Sequence, residues 1–163
     1  MGGSTLRLLC VGLLVYISGC ANTVGSRQGL PDSHWQGRMA VKVTAPQPQS
    51  FSANFELDGD ANAGTLRLGS PLGITIAVIR WMPGSATLTA NAEPRSFDSL
   101  SALTQAGLGV DVPIANLFDW LRGQPSRSDT WEADLTQIGD GKLTVVRTAP
   151  DVQAELRLLL ETP

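Results

Sequence analysis

The sequence has few of the residues that enzymes and metal proteins use for chemistry. Its 163 residues include one histidine and two cysteines, and they contain no glycine motif of a serine hydrolase, phosphate loop or dinucleotide fold. One histidine cannot form a multi-histidine metal site, and the sequence offers no convincing serine and acid to complete a catalytic triad with it. The plainer interpretation of His34 is a surface residue near the start of a strand. We therefore expect no enzyme, no catalytic residue, no metal and no cofactor.

One stretch, Asp58 to Gly64, imitates the start of a calcium-binding loop. Such a loop needs glycine at its sixth position and a bidentate glutamate at its twelfth, whereas Ala63 and Gly69 stand at those positions. A solvent-facing hairpin turn explains these carboxylates better than a metal site does.

The chain also lacks a large excess of either charge. It has 12 basic and 15 acidic residues, for a net charge of −3. This balance suggests neither nucleic acid as a partner nor tight binding to anionic lipid head groups. Because 42% of the residues are hydrophobic, the composition is that of a folded protein. Any contact with a membrane should therefore depend on apolar groups or on a covalent anchor.

No apolar run reaches the about 20 residues that a membrane-spanning helix needs. The run from Leu8 to Ile17 follows Arg7, the only charge among the first 20 residues, and is typical of a secretory leader. It ends in Ile17-Ser18-Gly19-Cys20, which resembles a bacterial lipobox. We expect cleavage before Cys20 and lipid on that cysteine, since several acyl chains at about 0.8 kcal/mol per buried methylene give lasting attachment.

Two other interpretations of the leader are weaker. An ordinary leader cut near Gly19 would leave Cys20 as a free thiol. N-myristoylation after Met1 needs serine or threonine at the sixth position, where Leu6 stands. Cys10 leaves with the leader, so the mature chain cannot form a disulfide within itself. The predicted organisation is a signal peptide at 1–19, a lipidated N-terminus with a flexible tether at 20–33, and a domain at 34–163.

Alternation of apolar and polar residues dominates the domain and predicts strands. We predict eight, at residues 38–44, 49–57, 65–68, 73–80, 85–90, 131–138, 142–148 and 154–160. Two short helices interrupt them. The first begins after Asp98 or Ser99 and ends before Gly107, and the second runs from Pro113 to Arg122. The predicted fold is mainly β with short helices (α+β): an incomplete antiparallel β-barrel or strongly curved sheet.

The loop Ser70-Pro71-Leu72-Gly73 joins two of these apolar strands. Turn chemistry explains Pro71, which fixes φ, and Gly73, which permits a positive φ. It does not explain Leu72, because leucine is poor turn material. A leucine here either folds back onto the domain or points outward, where entering a bilayer surface would gain about 1.5–3 kcal/mol.

From Trp35 to Leu160, the sequence resembles the LolB family of outer-membrane lipoprotein receptors. The resemblance depends on the order of several segments, of which the last is the most specific. They are Gly37-Arg38-Met39-Ala40, Pro71-Leu72-Gly73, the helix after Phe97, Val112-Pro113-Ile114, and the run LFDWLRGQP at 117–125.

The resemblance implies a barrel whose helices cover an apolar cavity. Members of this family accept a triacylated lipoprotein from a soluble periplasmic carrier (LolA-like) and release it into the inner leaflet of the outer membrane. The implied partners are thus that carrier, the acylated cargo and outer-membrane lipid, with no nucleic acid. The family's exposed loop leucine maps onto Leu72, and Ala21 after Cys20 permits sorting to the outer membrane. We expect a monomer whose domain faces the periplasm.

Nine apolar residues are expected to line or cover the acyl-chain cavity. They are Phe51, Phe55, Leu66, Leu68, Ile76 and Leu88 on strands, and Leu117, Trp120 and Leu121 on the second helix. For each residue taken alone, a solid core is the simpler explanation. The alternative function is a structural or assembly lipoprotein that docks other proteins, which leaves Leu72 unexplained. A lipid-modifying enzyme would need a nucleophile and a base that the sequence does not offer.

Overall fold

The structure is a computed structural model that describes residues 33–44 and 48–161. The predicted leader, the lipidation site Cys20 and the predicted tether lie outside the described residues. Within them, no helix has the length and apolar character needed to cross a membrane.

The described residues form one nine-stranded antiparallel sheet in the order β6-β5-β4-β3-β2-β1-β9-β8-β7. Neighbouring strands pair in register along most of their length, and a bulge interrupts the β3–β4 pair between Leu68 and Gly69. The strands are β1 (His34–Val43), β2 (Gln49–Gly59), β3 (Gly64–Gly69), β4 (Thr75–Met82), β5 (Ser85–Ala90), β6 (Glu93–Phe97), β7 (Trp131–Asp134), β8 (Lys142–Arg147) and β9 (Ala154–Leu160).

The predicted fold class is confirmed, because the sheet is antiparallel, is not closed between its edge strands β6 and β7, and carries two helices. One of the nine strands, β6, was not predicted from the sequence. The sequence Glu-Pro-Arg-Ser-Phe of β6 has no apolar alternation, and proline normally argues against a strand. Pro94 is tolerated because β6 lies at a sheet edge, where a missing N–H breaks no ladder on the open side.

The two helices begin and end close to the predicted positions. Helix α1 (Leu100–Leu108) begins at Ser99, whose Oγ accepts a hydrogen bond of 3.0 Å from the N–H of Ala102. It continues through Gly107 and ends at Gly109, which has a φ of 74°. Helix α2 (Ile114–Leu121) follows Pro113. The strand predicted at residues 131–138 is shorter in the structure. It ends at Asp134, and a short 3-10 helix follows at Ile138–Asp140.

One face of the sheet, called the inner face, packs against the helices. Its apolar residues lie opposite one another across the strands, as in the row Leu57, Leu66, Ile79 and Leu88 on β2 to β5. From α2, the Phe118 ring contacts two indoles, with centroid distances of 5.5 Å to Trp35 and 6.3 Å to Trp81. The described residues thus contain a core of their own, and we expect the domain to fold without the residues before it.

The antiparallel order gives the sheet two distinct ends. The β3–β4 loop (Ser70–Ile74), the β5–β6 turn and the β8–β9 connection all lie at one end, here called the loop end. The opposite end is the entry end, where the chain enters β1 at His34 and the β2–β3 turn follows Gly59.

Candidate functional site

An apolar cavity of about 230 Å³ lies between the inner face of the sheet and the two helices. The sheet contributes residues from β1 to β5, β7 and β9, and both helices contribute the opposite wall. Among the lining residues are Leu66, Leu68, Ile79, Leu88, Leu103, Leu108, Ile114, Leu117 and Leu156. An apolar cavity of about 150 Å³ can stay dry and bind an apolar molecule, so this one is large enough to hold part of a hydrocarbon chain.

A second, smaller space of about 80 Å³ continues toward the entry end. It shares Leu66, Ile79 and Leu117 with the larger cavity, and Phe55 and Trp81 add to its walls. The two spaces therefore follow each other along the inner face, with Leu117 at their junction.

The cavity wall offers almost no polar group to a bound molecule. Thr104 is satisfied by the protein itself, since its Oγ1 donates to the carbonyl of Ser101 at 3.1 Å and accepts from the N–H of Val112 at 3.3 Å. Glu155 is at the rim, and its carboxylate accepts a 2.6 Å hydrogen bond from Nε of Arg157. The site is thus suited to apolar chains.

Six of the nine predicted cavity residues line one or both spaces. Phe51, Leu66, Leu68, Leu88 and Leu117 border the larger cavity, and Phe55 borders the smaller one.

The other three predicted residues lie elsewhere. Ile76 is 46% exposed, because β4 turns Ile79 and Trp81 inward and leaves Ile76 on the outer face. Trp120 and Leu121 are buried in the core and are not among the lining residues. The indole N–H of Trp120 donates to the carbonyl of Ser126 at 3.0 Å, so this side chain holds the segment after α2.

Sequence reasoning also missed several lining residues. Met39 and Val41 on β1 and Leu156 on β9 alternate with polar neighbours, a signal for an inward face that could have included them. Val110 and Val112 lie in the irregular segment between the helices. That segment has no periodicity from which its inward direction could be read.

The β3–β4 loop is a tight, well-bonded turn. The N–H of Gly73 donates to the carbonyl of Ser70 at 2.9 Å, and the N–H of Ser70 donates to the carbonyl of Ile74 at 2.8 Å. The Ser70 hydroxyl accepts from the N–H of Ile74 at 3.2 Å. With Pro71 second, Leu72 third and Gly73 fourth, at a φ of 80°, the four residues match a type I turn.

This turn presents Leu72 to solvent, with 87% of the side chain exposed. The carbonyl of Ser70 is fixed to the sheet by the side-chain amide of Asn54 on β2, at 3.2 Å. Leu72 therefore does not fold back onto the domain, and a rigid base holds it outward.

The cavity and the exposed leucine belong to the same end of the domain. Phe51 and Ala154, which border the larger cavity, stand where β2 and β9 begin at the loop end. Phe51 is itself 37% exposed, which marks an opening there.

One electrostatic pair of the sheet, between His34 and Asp58, lies away from the cavity, at the entry end. Nδ1 of His34 is 2.7 Å from the Asp58 carboxylate, and that hydrogen bond raises the pKa of His34 above its usual value. No group of three or more potential metal ligands occurs in residues 33–44 and 48–161.

Comparisons with known proteins give the same family over most of the chain. The family model described as "Outer membrane lipoprotein LolB" matches residues 33–151. A relative from Bordetella petrii named "Outer-membrane lipoprotein LolB" is 30% identical over 95% of this chain and 92% of its own length. Proteins of the same name from Bordetella parapertussis and Cupriavidus pinatubonensis are 35% and 32% identical, over 95% and 86% of this chain and 91% and 70% of their own lengths.

Proposed function

This chain belongs to the LolB family of outer membrane lipoproteins, and we propose that it is an anchored receptor for other lipoproteins. In this proposal it accepts acylated cargo from a soluble periplasmic carrier of the LolA type and inserts it into the inner leaflet of the outer membrane. It acts as a monomer without a cofactor, and its domain faces the periplasm.

The observation that carries the proposal is the position of Leu72 at the same end of the sheet as the cavity opening. A cavity alone would fit many lipid-binding proteins, and an exposed leucine alone would fit many surface contacts. Together they give one end of the domain both a place for an acyl chain and a group that can enter lipid.

Receipt of cargo requires only a difference in affinity. An acyl chain leaves the carrier for this cavity if the apolar walls bind it more tightly, and no nucleotide is needed. The walls that serve this step are the six inward residues Phe51, Phe55, Leu66, Leu68, Leu88 and Leu117. Because the larger cavity holds about 230 Å³, we propose that it takes up part of a chain and leaves the rest near the opening.

Release requires the opening to meet the membrane. Leu72, between Pro71 and Gly73, is almost fully exposed, and burying such a side chain in lipid is worth about 1.5–3 kcal/mol. A contact of this strength is readily reversible. It suffices for a domain that lipid on Cys20 already keeps near the same bilayer, since a tether raises the effective concentration of its domain at the surface.

The proposed organisation keeps the boundaries predicted from the sequence: a signal peptide at 1–19, an anchor and tether at 20–33 and the receptor domain from residue 34. The alternative, a docking module for structural proteins, leaves both the cavity and Leu72 without a role.

A displacement measurement tests the receipt step. The mature chain with Cys20→Ala should bind an apolar fluorophore and lose it when an acylated lipoprotein is added. The same lipoprotein without its acyl chains is the matched control and should displace nothing. A domain that never binds the fluorophore, or that loses it equally to both forms, would contradict the proposal.

A further inference from the structure

A groove of about 210 Å³ lies on the outer face of the sheet, the face opposite the helices. Gln36, Glu56 and Arg67 border it and lie opposite one another across β1, β2 and β3. These positions alternate with residues that face inward, so their side chains point outward. The groove continues to Gly73 and Thr75 at the base of the β3–β4 loop. We call it the outer groove.

Glycines leave room along the outer groove. Gly37, Gly69 and Gly73 all border it, and none of them has a side chain that could fill the space. A peptide backbone can approach another chain closely at such positions. The outer groove is therefore suited to an extended segment of polypeptide.

A second depression, of about 370 Å³, leads from the chain entry into the outer groove. It begins beside His34 and Trp35 and shares Gln36 and Glu161 with the outer groove. Strand β9 pairs with β1 only as far as Gly37, so β9 does not occupy the space beside the first residues of β1. The two depressions together lead from the start of β1 to the β3–β4 loop.

The chain enters the sheet far from the loop that carries Leu72. Ser33 precedes β1, and its carbonyl accepts a hydrogen bond of 3.1 Å from the N–H of Gly59 at the entry end. Thr75 lies across β3 and β2 from Arg38, five residues farther along β1. With about 3.4 Å per residue and about 4.8 Å per strand, Ser33 and Thr75 are about 22 Å apart on a flat sheet. An anchor that stayed near the entry end would hold Leu72 away from its bilayer.

The length of the predicted tether favours a path along the sheet. Thirteen residue steps separate Cys20 from Ser33. A free coil of this length spans about 20 Å on average, whereas a fully extended chain spans about 45 Å. A free coil would thus barely reach the base of the loop. A segment extended along the groove would pass the loop base and still have length left for the anchor.

Charge complementarity also fits this segment. Arg27 is the only cation between Cys20 and Ser33. Glu161, where the two depressions meet, accepts a hydrogen bond of 3.1 Å from the neutral side-chain amide of Gln36. Among the described residues, no cation lies within ion-pair distance of Glu161. The path thus offers a carboxylate to a cation, and the segment that precedes β1 carries one.

Arg27 is within reach of Glu161. It lies six residues before Ser33, and six residues span up to about 20 Å. The N–H of Glu161 donates to β1 three residues after Ser33, at 2.8 Å, which places Glu161 about 10 Å from Ser33. The chain must reverse its direction to follow the groove, and Gly29 and Pro31 are residues that suit a turn.

We propose that residues 21–32 fold back over the sheet and lie in the outer groove, with the Arg27 guanidinium on the Glu161 carboxylate. This inference rests on the proposed function, in which lipid on Cys20 and the side chain of Leu72 meet one bilayer. It adds the path by which the anchor reaches the loop end. Because an exposed ion pair is weak, the docked segment is released readily and orients the domain without locking it.

Paramagnetic relaxation in NMR tests where the segment lies. The probe is the mature chain with Cys20→Ala and a nitroxide on Thr23→Cys, which is then its only cysteine. We expect the strongest line broadening at the amides of Gly69 and Gly73, near the loop. Broadening centred on His34 at the entry end would overturn the inference, since a segment free of the groove stays near its attachment.

A charge reversal tests the ion pair. Arg27→Glu should lower the broadening at Gly73 about threefold, because the pair is lost and a like charge faces Glu161. Arg27→Glu/Glu161→Arg reverses both charges and should restore the broadening. The matched control is Arg127→Glu, which reverses an exposed cation after α2 and should leave the broadening unchanged. No effect of Arg27→Glu, an equal effect of the control, or no recovery in the double variant would overturn the inference.

The outcomes for this inference and for the proposed function can be told apart. Displacement of the fluorophore by acylated lipoprotein depends on the cavity and not on Arg27 or Glu161. Normal displacement with broadening only at the entry end would overturn the docked segment and leave the proposed function standing. Broadening at the loop end without displacement would support the docked segment and contradict the receipt step. If the empty carrier shifts the amide signals of the outer groove while the nitroxide leaves them sharp, the groove binds the carrier, which also overturns the inference.

Discussion

Gly37 shows how one residue can fix the geometry of this sheet. It lies in β1 between β2 and β9 and has a φ of 154°. A Cβ at this position would be 1.9 Å from the carbonyl oxygen of Leu159 on β9. Because that oxygen belongs to the backbone of a paired strand, it cannot move away without breaking the sheet.

We therefore expect Gly37→Ala to lower the free energy of unfolding by about 3 kcal/mol or more. Gly84→Ala is the control, since Gly84 also has a positive φ of 76° but no atom within 4 Å of the added Cβ. It should cost only about 1–2 kcal/mol for the backbone conformation. Equal losses in chemical denaturation would show that the close approach to Leu159 has no effect.

His34 gives the entry end a measurable dependence on pH. Its hydrogen bond with Asp58 raises its pKa above 6.5, so the pair stabilises the fold fully below that pH. This stabilisation is lost as the pH rises through the raised pKa of the folded state. Both side chains are well exposed, so the effect on stability is small, and the pKa itself is the better observable.

Proton NMR can follow His34 directly, because it is the only histidine of the chain. We expect Asp58→Asn to return its pKa toward 6.5, since the variant removes the hydrogen bond to a charged acceptor. Glu56→Gln, which removes only a more distant charge, should lower the pKa less. The reverse order of the two effects would refute this account of the pair.

At the residue scale, the sequence was informative where local chemistry is decisive. Leu72 could be singled out because proline and glycine explain their own places in the turn and leucine does not. Ile76 was predicted on the cavity face but is exposed, since the segment 73–80 is apolar on both faces and Ile76 lies at the bulge that shifts the β3–β4 register. Which face a residue of such a strand occupies is set by its partners across the sheet.

At the scale of elements, helix α2 divides its apolar stripe between two roles. Leu117 borders both spaces of the cavity, whereas Trp120 is buried and bonded to the carbonyl of Ser126. Asn116 supports the same segment, since its side-chain amide donates to the Ser126 hydroxyl at 2.7 Å and to the carbonyl of Arg127 at 2.8 Å. This helix therefore both closes the cavity and anchors the connection to β7.

Trp120→Phe tests the anchoring role. Loss of the indole N–H leaves the Ser126 carbonyl without its donor, and we expect the free energy of unfolding to fall by about 1–3 kcal/mol. The affinity for an apolar fluorophore should stay the same, because Trp120 does not line the cavity. A large drop in that affinity, at unchanged stability, would show that Trp120 lines the cavity.

Leu117→Trp should lower the affinity for the fluorophore and change stability little, the opposite of the result expected for Trp120→Phe. The larger ring fills space at the junction of the two cavities, so fluorophore affinity should fall about tenfold or more. Stability should change by less than about 2 kcal/mol, because the void accepts part of the added volume. Unchanged binding of the fluorophore, measured by titration, would contradict the proposed location of the ligand.

Most elements could be predicted from the sequence because their signals are local. The Ser99 cap, Pro113 and Gly123 determine where the helices begin and end, and apolar alternation marks eight strands. The strand β6 could not be found in this way. It exists because β5 offers it a partner and because a sheet edge tolerates Pro94.

At the scale of the whole molecule, the cavity depends on how the helices pack against the sheet, and the pattern of apolar residues in the sequence does not reveal it. The same apolar residues could have filled a solid core, and nothing in the sequence decides between the two. Family membership made a cavity plausible, but its walls at Met39, Val41 and Ile79 became known only from the fold.

The central claim is that one end of the domain both holds an acyl chain and delivers it to lipid. A two-step transfer assay with Leu72→Glu tests this claim most directly. Acylated lipoprotein is first passed from the carrier to the mature receptor, and vesicles are then added to measure insertion. We predict that Leu72→Glu receives cargo as well as the unchanged protein and inserts little of it. Normal insertion by Leu72→Glu would contradict the account.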